Sequence, residues 1–286
     1  MSDTTSKFPV DRAFLELTQT LADASSEGTD KFCAEAGKSL PQTMDATGTV
    51  LSVLYRLACC YYGCHGGDHQ VEWLAGKFVS QAISAHRLVR AAQYDEALML
   101  IRGMGEITNL LWLFHEDRGE LAAWKATDKK ARLNNFGPAA VRRRLEGLSS
   151  LGPPIDAERY GALCEVGTHP TPALAPGHYS GSGRPVLGVI LQEVGVFVCV
   201  NELAYTIAMA AIPIVVLLNA SDDIKAETKK HSVRLLKGIG SFTVLNYEEG
   251  LREAMRRAAS RLTRPDYAVP SQSASPCFYG QECARR

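Results

Sequence analysis

Apolar residues recur at intervals of three and four along much of this chain, which is the spacing of one face of an α-helix. Residues 68–93 show this spacing clearly, and residues 95–117 carry an apolar stripe that covers most of the helix circumference. Residues 44–63 and 186–218 are also long and apolar. A helix that is apolar on most sides belongs in a core. These four segments therefore predict the core of a helical bundle.

Shorter helices are predicted around this core. They span residues 10–25, 30–40, 119–149 (two helices broken at Gly137–Pro138), 155–166, a segment after Ser221, and 246–262. Pro41 is expected to end the second of them, because proline cannot continue a helix interior. Ser221 and Asn246 are residue types that cap helix N-termini. No strand-like alternation of apolar and polar residues accompanies these patterns.

The predicted fold is all-α: an irregular multi-helix bundle in a single domain at residues 9–263. Residues 264–286 are rich in Pro, Ser and Gln and predict a flexible C-terminal tail. The uncharged stretch Leu203–Leu218 has 16 residues. This is shorter than the roughly 20 residues that a bilayer span requires. We therefore expect no membrane contact.

The charge and the cysteine content argue against a strongly charged protein and against a small secreted one. Lys plus Arg and Asp plus Glu both number 31, so the formal net charge is zero. No global field draws the chain to nucleic acid or membrane. The polar N-terminus lacks the apolar run of a secretory signal. The eight cysteines are unevenly spaced and do not resemble the disulfide framework of a small secreted protein. We predict a cytoplasmic protein with reduced thiols.

A cluster of thiol and imidazole residues follows the helix at 44–63. Cys60, Cys64, His65 and His69 are ligand types that zinc prefers. Their spacing matches no standard zinc finger. The alternative interpretation is a buried cysteine pair at a helix end with exposed histidines nearby.

A polar stripe crosses the apolar helix at 95–117. Arg102, Glu106 and Asn109 are spaced by four and three residues, which places them on one helix face. They predict either a catalytic stripe inside the bundle or a solvated helix face. His169 follows a helix end and precedes two prolines. It is a candidate general acid or base, or a cap of the last helical carbonyls.

Basic residues cluster between the predicted core helices. The candidate nucleic-acid contacts are Lys129, Lys130, Arg132, Arg142, Arg143 and Arg144. Trp124 and Phe136 are interleaved with them, as a stacking site for single strands requires. The alternative is a solvated charged face.

Two segments carry a resemblance to a known family. Ala97–Glu106 contains an R-x-x-x-E pattern, and Tyr160–Pro172 contains Y-x-x-L-C followed by His-Pro. Together they resemble a bacterial family of all-helical domains of unknown function. The resemblance implies a pocket where Arg102, Glu106 and His169 converge. That family is also similar to nucleotide-binding and ribonuclease domains of bacterial defence systems.

Three functions follow as hypotheses. The first is a helical binding or interaction module, with a protein partner or a second copy as its target. The alternative is an enzyme that acts on RNA or a nucleotide, and the third is a metal-binding protein. The sequence contains no phosphate loop, dinucleotide fingerprint, HExxH or GxSxG motif. No cofactor is therefore expected.

Overall fold

A computed structural model describes residues 13–37, 39–64, 67–169 and 190–246. Every regular element in these residues is helical. They are α1 (Phe14–Glu35), α2 (Ser39–Ala58), α3 (Gln70–Arg90), α4 (Tyr94–Glu116), α5 (Arg118–Ala126), α6 (Lys129–Phe136), α7 (Pro138–Leu148), α8 (Ala157–Gly167), α9 (Glu193–Leu217), α10 (Asp222–Gly238) and a 3₁₀ turn at Val244–Asn246. The predicted irregular all-α bundle is confirmed.

Helices α4 and α9 form the centre of the bundle. Helix α9 packs against α2, α3, α4 and α10, and α4 also packs against α3, α7 and α8. Fully buried side chains of this centre include Leu98, Ile101 and Leu111 of α4 and Ile207 and Ile214 of α9. The four segments predicted as core supply most of the main buried cluster. The core prediction is therefore confirmed.

The same two helices, α4 and α9, are long and apolar enough to cross a membrane by length and composition. In the described part of the chain, the other helices bury 61% of the apolar window of α4 and 78% of that of α9. Burial of this extent is what core helices show. The expectation of no membrane contact stays a prediction.

The N-terminal helix corrects the prediction of two helices at residues 10–25 and 30–40. One continuous helix, α1, joins the two segments and ends at Glu35, while Ser39 and Leu40 belong to α2. Its buried side chains are Ser25, Thr29 and Cys33, four residues apart. Because serine and threonine carry little hydrophobic signal, this buried face is hard to recognise as an apolar stripe.

Two other helix boundaries also differ from prediction. Pro41 lies in the first turn of α2, where its missing N–H has no intrahelical partner to lose. Residues 119–149 form three helices because Asp128 starts an additional one, accepting a hydrogen bond from the Ala131 N–H at 2.8 Å. The predicted break at Gly137–Pro138 is confirmed, and Pro138 is the first residue of α7. The predicted last helix beyond residue 246 and the tail at 264–286 lie outside the described residues.

A close approach between α4 and α9 depends on one glycine. The Tyr94 ring is fully buried, and its hydroxyl accepts a hydrogen bond from the Gln192 N–H at 3.0 Å. A Cβ atom added at Gly195 would lie 2.6–2.8 Å from three atoms of this ring. Any larger residue at position 195 would therefore push the two central helices apart.

We expect Gly195→Ala to lower the free energy of unfolding by about 1–3 kcal/mol, the usual cost of overpacking a core. Gly161 in α8 is a matched control, because an added Cβ there meets no atom within 4 Å. Gly161→Ala should raise stability by about 0.5–1 kcal/mol through helix propensity. Urea unfolding of both variants measures the difference. Equal effects of the two substitutions would contradict the close approach.

Candidate functional site

A cleft of about 270 Å³ opens beside α3 and α4, and residues from α5 to α8 complete its wall. Four aromatic side chains line it: Trp73, Trp124, Phe136 and Tyr160. The polar residues at its surface are Lys77, Gln81, Glu106, Asn109 and Arg142. An apolar wall with a few polar groups is the usual composition of a small-molecule site. The volume lies near the lower end of the roughly 300–1,000 Å³ that such sites enclose.

The Arg102–Glu106 pair predicted from the sequence is present beside this cleft. Arg102 Nη2 lies 3.0 Å from Glu106 Oε1. Helix α8 completes the network, because Arg102 Nε donates to Cys164 Sγ at 3.0 Å and Nη2 donates to the Tyr160 hydroxyl at 2.5 Å. The Tyr160 hydroxyl in turn donates to Glu106 Oε1 at 2.8 Å. The two segments that carry the family resemblance therefore contact each other.

The Tyr160 ring is a platform for two cations. The guanidinium carbon of Arg142 lies 4.3 Å from the ring centroid, and that of Arg102 lies 4.9 Å from it. Burial, followed by the hydrogen bond to Glu106, raises the pKa of Tyr160 to about 12. Its hydroxyl therefore stays protonated and donates to Glu106 throughout the physiological pH range.

Two buried polar atoms in this cleft lack a hydrogen-bond partner among the described residues. They are Gln81 Oε1 and Arg142 Nη1. Both residues line the cleft. Buried polar atoms are nearly always paired in folded proteins, and exceptions call for an explanation. Both atoms are buried, so a rotation of each side chain would be needed to present one acceptor and one charged donor to a molecule in the cleft.

Asn109 has a structural partner on both of its amide atoms. Its Nδ2 donates to the Ile155 carbonyl at 2.7 Å, and its Oδ1 accepts from the Ile155 N–H at 3.0 Å. Both residues are buried. This amide clamps the chain entering α8 onto α4, with one hydrogen bond on each amide atom.

Among the described residues, His169 forms no hydrogen bond or ion pair with Arg102 or Glu106. It lies exposed just beyond α8, and its backbone N–H donates to the Cys164 carbonyl at 2.8 Å. His169 does not line the cleft. Within the described residues, the side chains that reach Arg102 from α8 come from Tyr160 and Cys164 instead.

The six residues predicted to contact nucleic acid differ in their exposure and in their partners. Lys129, Lys130 and Arg143 are exposed. Arg144 Nη1 pairs with Glu120 Oε2 at 2.6 Å, which neutralises part of the positive charge of these six residues. Arg132 Nη2 donates to the Thr127 carbonyl, while Arg142 faces the cleft.

Three of the four predicted metal ligands come together between α2 and α3. Cys60, Cys64 and His69 each offer a ligand atom, and these atoms all lie within 4.8 Å of one another. His65 lies outside the described residues. The cysteines are not a buried pair, since Cys64 is exposed and Cys60 is half-buried.

The sequence reasoning missed part of the cleft wall on α3. Trp73, Lys77 and Gln81 are spaced four residues apart, so they follow one another along a single helix face. This line runs beside the apolar stripe that contains Leu74 and Phe78. An aromatic, a cation and an amide in one such line are the signal that predicts a ligand-facing surface.

Comparison with known protein families, curated proteins and solved structures finds no match to this chain. The fold and the site define this protein as an all-α bundle with a cleft that both aromatic and polar side chains line.

Proposed function

We propose that this protein is a helical binding module whose cleft holds a small planar anion of the nucleotide class. The observation that carries the proposal is a pair of buried atoms on two residues of the cleft lining, Gln81 Oε1 and Arg142 Nη1, that have no hydrogen-bond partner among the described residues. Leaving a buried polar group unsatisfied costs about 1–3 kcal/mol, and more for a charged one. A ligand that supplies one acceptor and one donor would recover that energy.

The cleft walls favour a planar ring. Every nucleobase has a π-face, and stacking on an aromatic side chain contributes about 1–3 kcal/mol per base. Trp73 and Trp124 in the cleft lining are the candidates for such stacking, because Arg102 and Arg142 already lie over the Tyr160 ring. A ring bearing amide and amine groups also matches the free amide oxygen of Gln81.

The charges beside the cleft favour an anion. Glu106 pairs with Arg102, which leaves Arg142 and Lys77 as the cations without a carboxylate partner among the described residues. Charge-assisted hydrogen bonds from arginine to phosphate are roughly twice as strong as neutral ones. A base that carries a phosphate therefore suits the cleft better than a neutral nucleoside.

Binding fits the site better than catalysis. Glu106 is engaged by Arg102 and Tyr160, and Asn109 is engaged by the Ile155 backbone. His169, the candidate proton-transfer group, lies outside the cleft lining. An enzyme acting on RNA or a nucleotide is the alternative. A protein partner, a second copy of the chain and a cytoplasmic location stay predictions.

The test is a titration of the purified protein with a ligand panel, in which tryptophan fluorescence and calorimetry measure binding. The panel contains the four ribonucleoside monophosphates, adenosine and inorganic phosphate. We expect at least one monophosphate to bind about tenfold more tightly than adenosine or phosphate, a difference of about 1.4 kcal/mol. Equal, weak responses to all compounds would contradict the proposal. Ligand hydrolysis that His169→Ala abolishes would favour the enzyme instead.

A further inference from the structure

We propose that Cys60, Cys64 and His69 bind one zinc-class divalent ion, which holds the connection between α2 and α3 in place. The site is separate from the cleft and does not depend on the function proposed for it. Thiolate and imidazole are the ligand types that zinc selects.

The distances between these side chains suit a tetrahedral ion. Cys64 Sγ lies 3.7 Å from His69 Nε2, and Cys60 Sγ lies 3.8 Å from His69 Nδ1. Zinc binds sulfur at about 2.3 Å and nitrogen at about 2.0–2.1 Å, so neighbouring ligand atoms in a tetrahedral site are about 3.5–3.8 Å apart. Cys64 Sγ and His69 Nε2 therefore already stand at nearly the separation that one shared ion imposes. Cys60 Sγ contacts the other ring nitrogen, and one ligand atom of each of the three residues lies within 4.8 Å of the other two.

The Glu72 carboxylate contacts the His69 ring at the nitrogen that does not face the ion. Glu72 Oε1 lies 3.3 Å from His69 Nδ1. With Nε2 facing the ion, Nδ1 carries the proton and donates it to Glu72. A carboxylate on the second nitrogen of a metal-binding histidine sets the ring orientation and raises its basicity. Glu72 is therefore a positioning residue in this site.

The backbone between α2 and α3 turns in an uncommon way at two of the three ligands. Cys60 has φ 54° and His69 has φ 52°, a left-handed conformation that few residues other than glycine adopt. Strained backbone of this kind gathers at binding sites, where the surrounding structure holds it. Asp68 also pairs with Lys125 at 2.7 Å, which ties the segment before His69 to α5.

The three ligands leave one tetrahedral position for water or a small anion. Cys64 and His69 are exposed, so solvent reaches the ion. The ion would fix the first turn of α3, where Glu72 precedes the cleft residue Trp73. The ion would therefore hold the α2–α3 connection while one coordination position stays open to solvent.

The test is the metal content of full-length protein purified without a histidine tag or chelator. After zinc saturation and removal of excess metal, we expect one zinc per chain by mass spectrometry. Cobalt substitution should give the visible bands of a tetrahedral ion and the near-ultraviolet bands of thiolate ligation. Cys60→Ser and Cys64→Ser should each lose the ion. Glu72→Gln should weaken zinc binding by roughly 10- to 100-fold.

Two controls keep the test decisive. Cys59 is an exposed cysteine next to the site and not part of the ligand cluster, so Cys59→Ser should keep the full zinc content. His69→Cys should retain cobalt with stronger thiolate bands, which a merely structural histidine would not show. Less than stoichiometric zinc in the saturated wild type would overturn the proposal. So would a Cys60–Cys64 disulfide in the native mass, or a metal loss in Cys59→Ser equal to that in Cys60→Ser.

Discussion

Glu202→Ala is expected to lower the free energy of unfolding by about 3–5 kcal/mol, the cost of removing one partner of a buried ion pair. Glu202 is wholly buried in α9. Its two carboxylate oxygens accept from Arg159 Nη1 at 2.7 and 2.6 Å, and Oε1 also accepts the Val244 N–H at 3.0 Å. One side chain thus joins α8, α9 and the 3₁₀ turn. Its loss leaves the buried Val244 N–H and the half-buried Arg159 guanidinium without this acceptor.

Urea unfolding of a small variant set measures this effect. Glu227→Ala is the matched control, because Glu227 pairs with Lys230 on the surface of α10, where ion pairs contribute little. Replacing Glu202 and Arg159 together with leucine should recover part of the stability that Glu202→Ala loses, since no buried charge then stays unpaired. A loss below about 1 kcal/mol in Glu202→Ala would contradict the buried pair.

Asn109→Ala is expected to lower the free energy of unfolding by about 3 kcal/mol. The substitution removes both hydrogen bonds to the Ile155 backbone. It leaves a buried N–H and a buried carbonyl unsatisfied, at about 1–3 kcal/mol each. Because the amide holds the chain entering α8, Tyr160 and the cleft wall should loosen as well.

Thermal and urea unfolding test this structural role of Asn109. The alternative is a catalytic role, which its position on one helix face with Arg102 and Glu106 suggests. Asn135→Ala on α6 is the control, because Asn135 is exposed and surface substitutions usually change stability by no more than about 0.5 kcal/mol. Unchanged stability in Asn109→Ala, together with loss of ligand binding or of an activity, would show that the residue acts on a ligand.

The parts of this fold that the sequence predicts are those encoded by local spacing. The three- and four-residue periods identify the core helices, because burial of one helix face requires them. The four-residue spacing of Arg102 and Glu106 likewise predicts their ion pair. Pro138 and Ser221 mark helix starts through backbone chemistry that acts within one turn.

The parts that the sequence does not predict depend on contacts between distant segments. Asn109 was grouped with Arg102 by helix spacing, but its partner is Ile155, which no local period indicates. Arg142 is one of three consecutive arginines, and only the packing of α7 and α8 on α4 brings it over the Tyr160 ring. Tertiary packing therefore decides which member of a charge run meets the cleft.

The most direct test of the cleft as a ligand site compares two neighbouring arginines. Arg142→Gln removes the unpartnered donor in the cleft, whereas Arg143→Gln removes an exposed charge whose Nε contacts only the Ala139 carbonyl among the described residues. Circular dichroism confirms that both variants are folded. We expect Arg142→Gln to weaken binding of the preferred monophosphate by at least about tenfold, and Arg143→Gln to leave it within about twofold. Equal losses in both variants would show that the basic run attracts anions unspecifically and would contradict a specific site in the cleft.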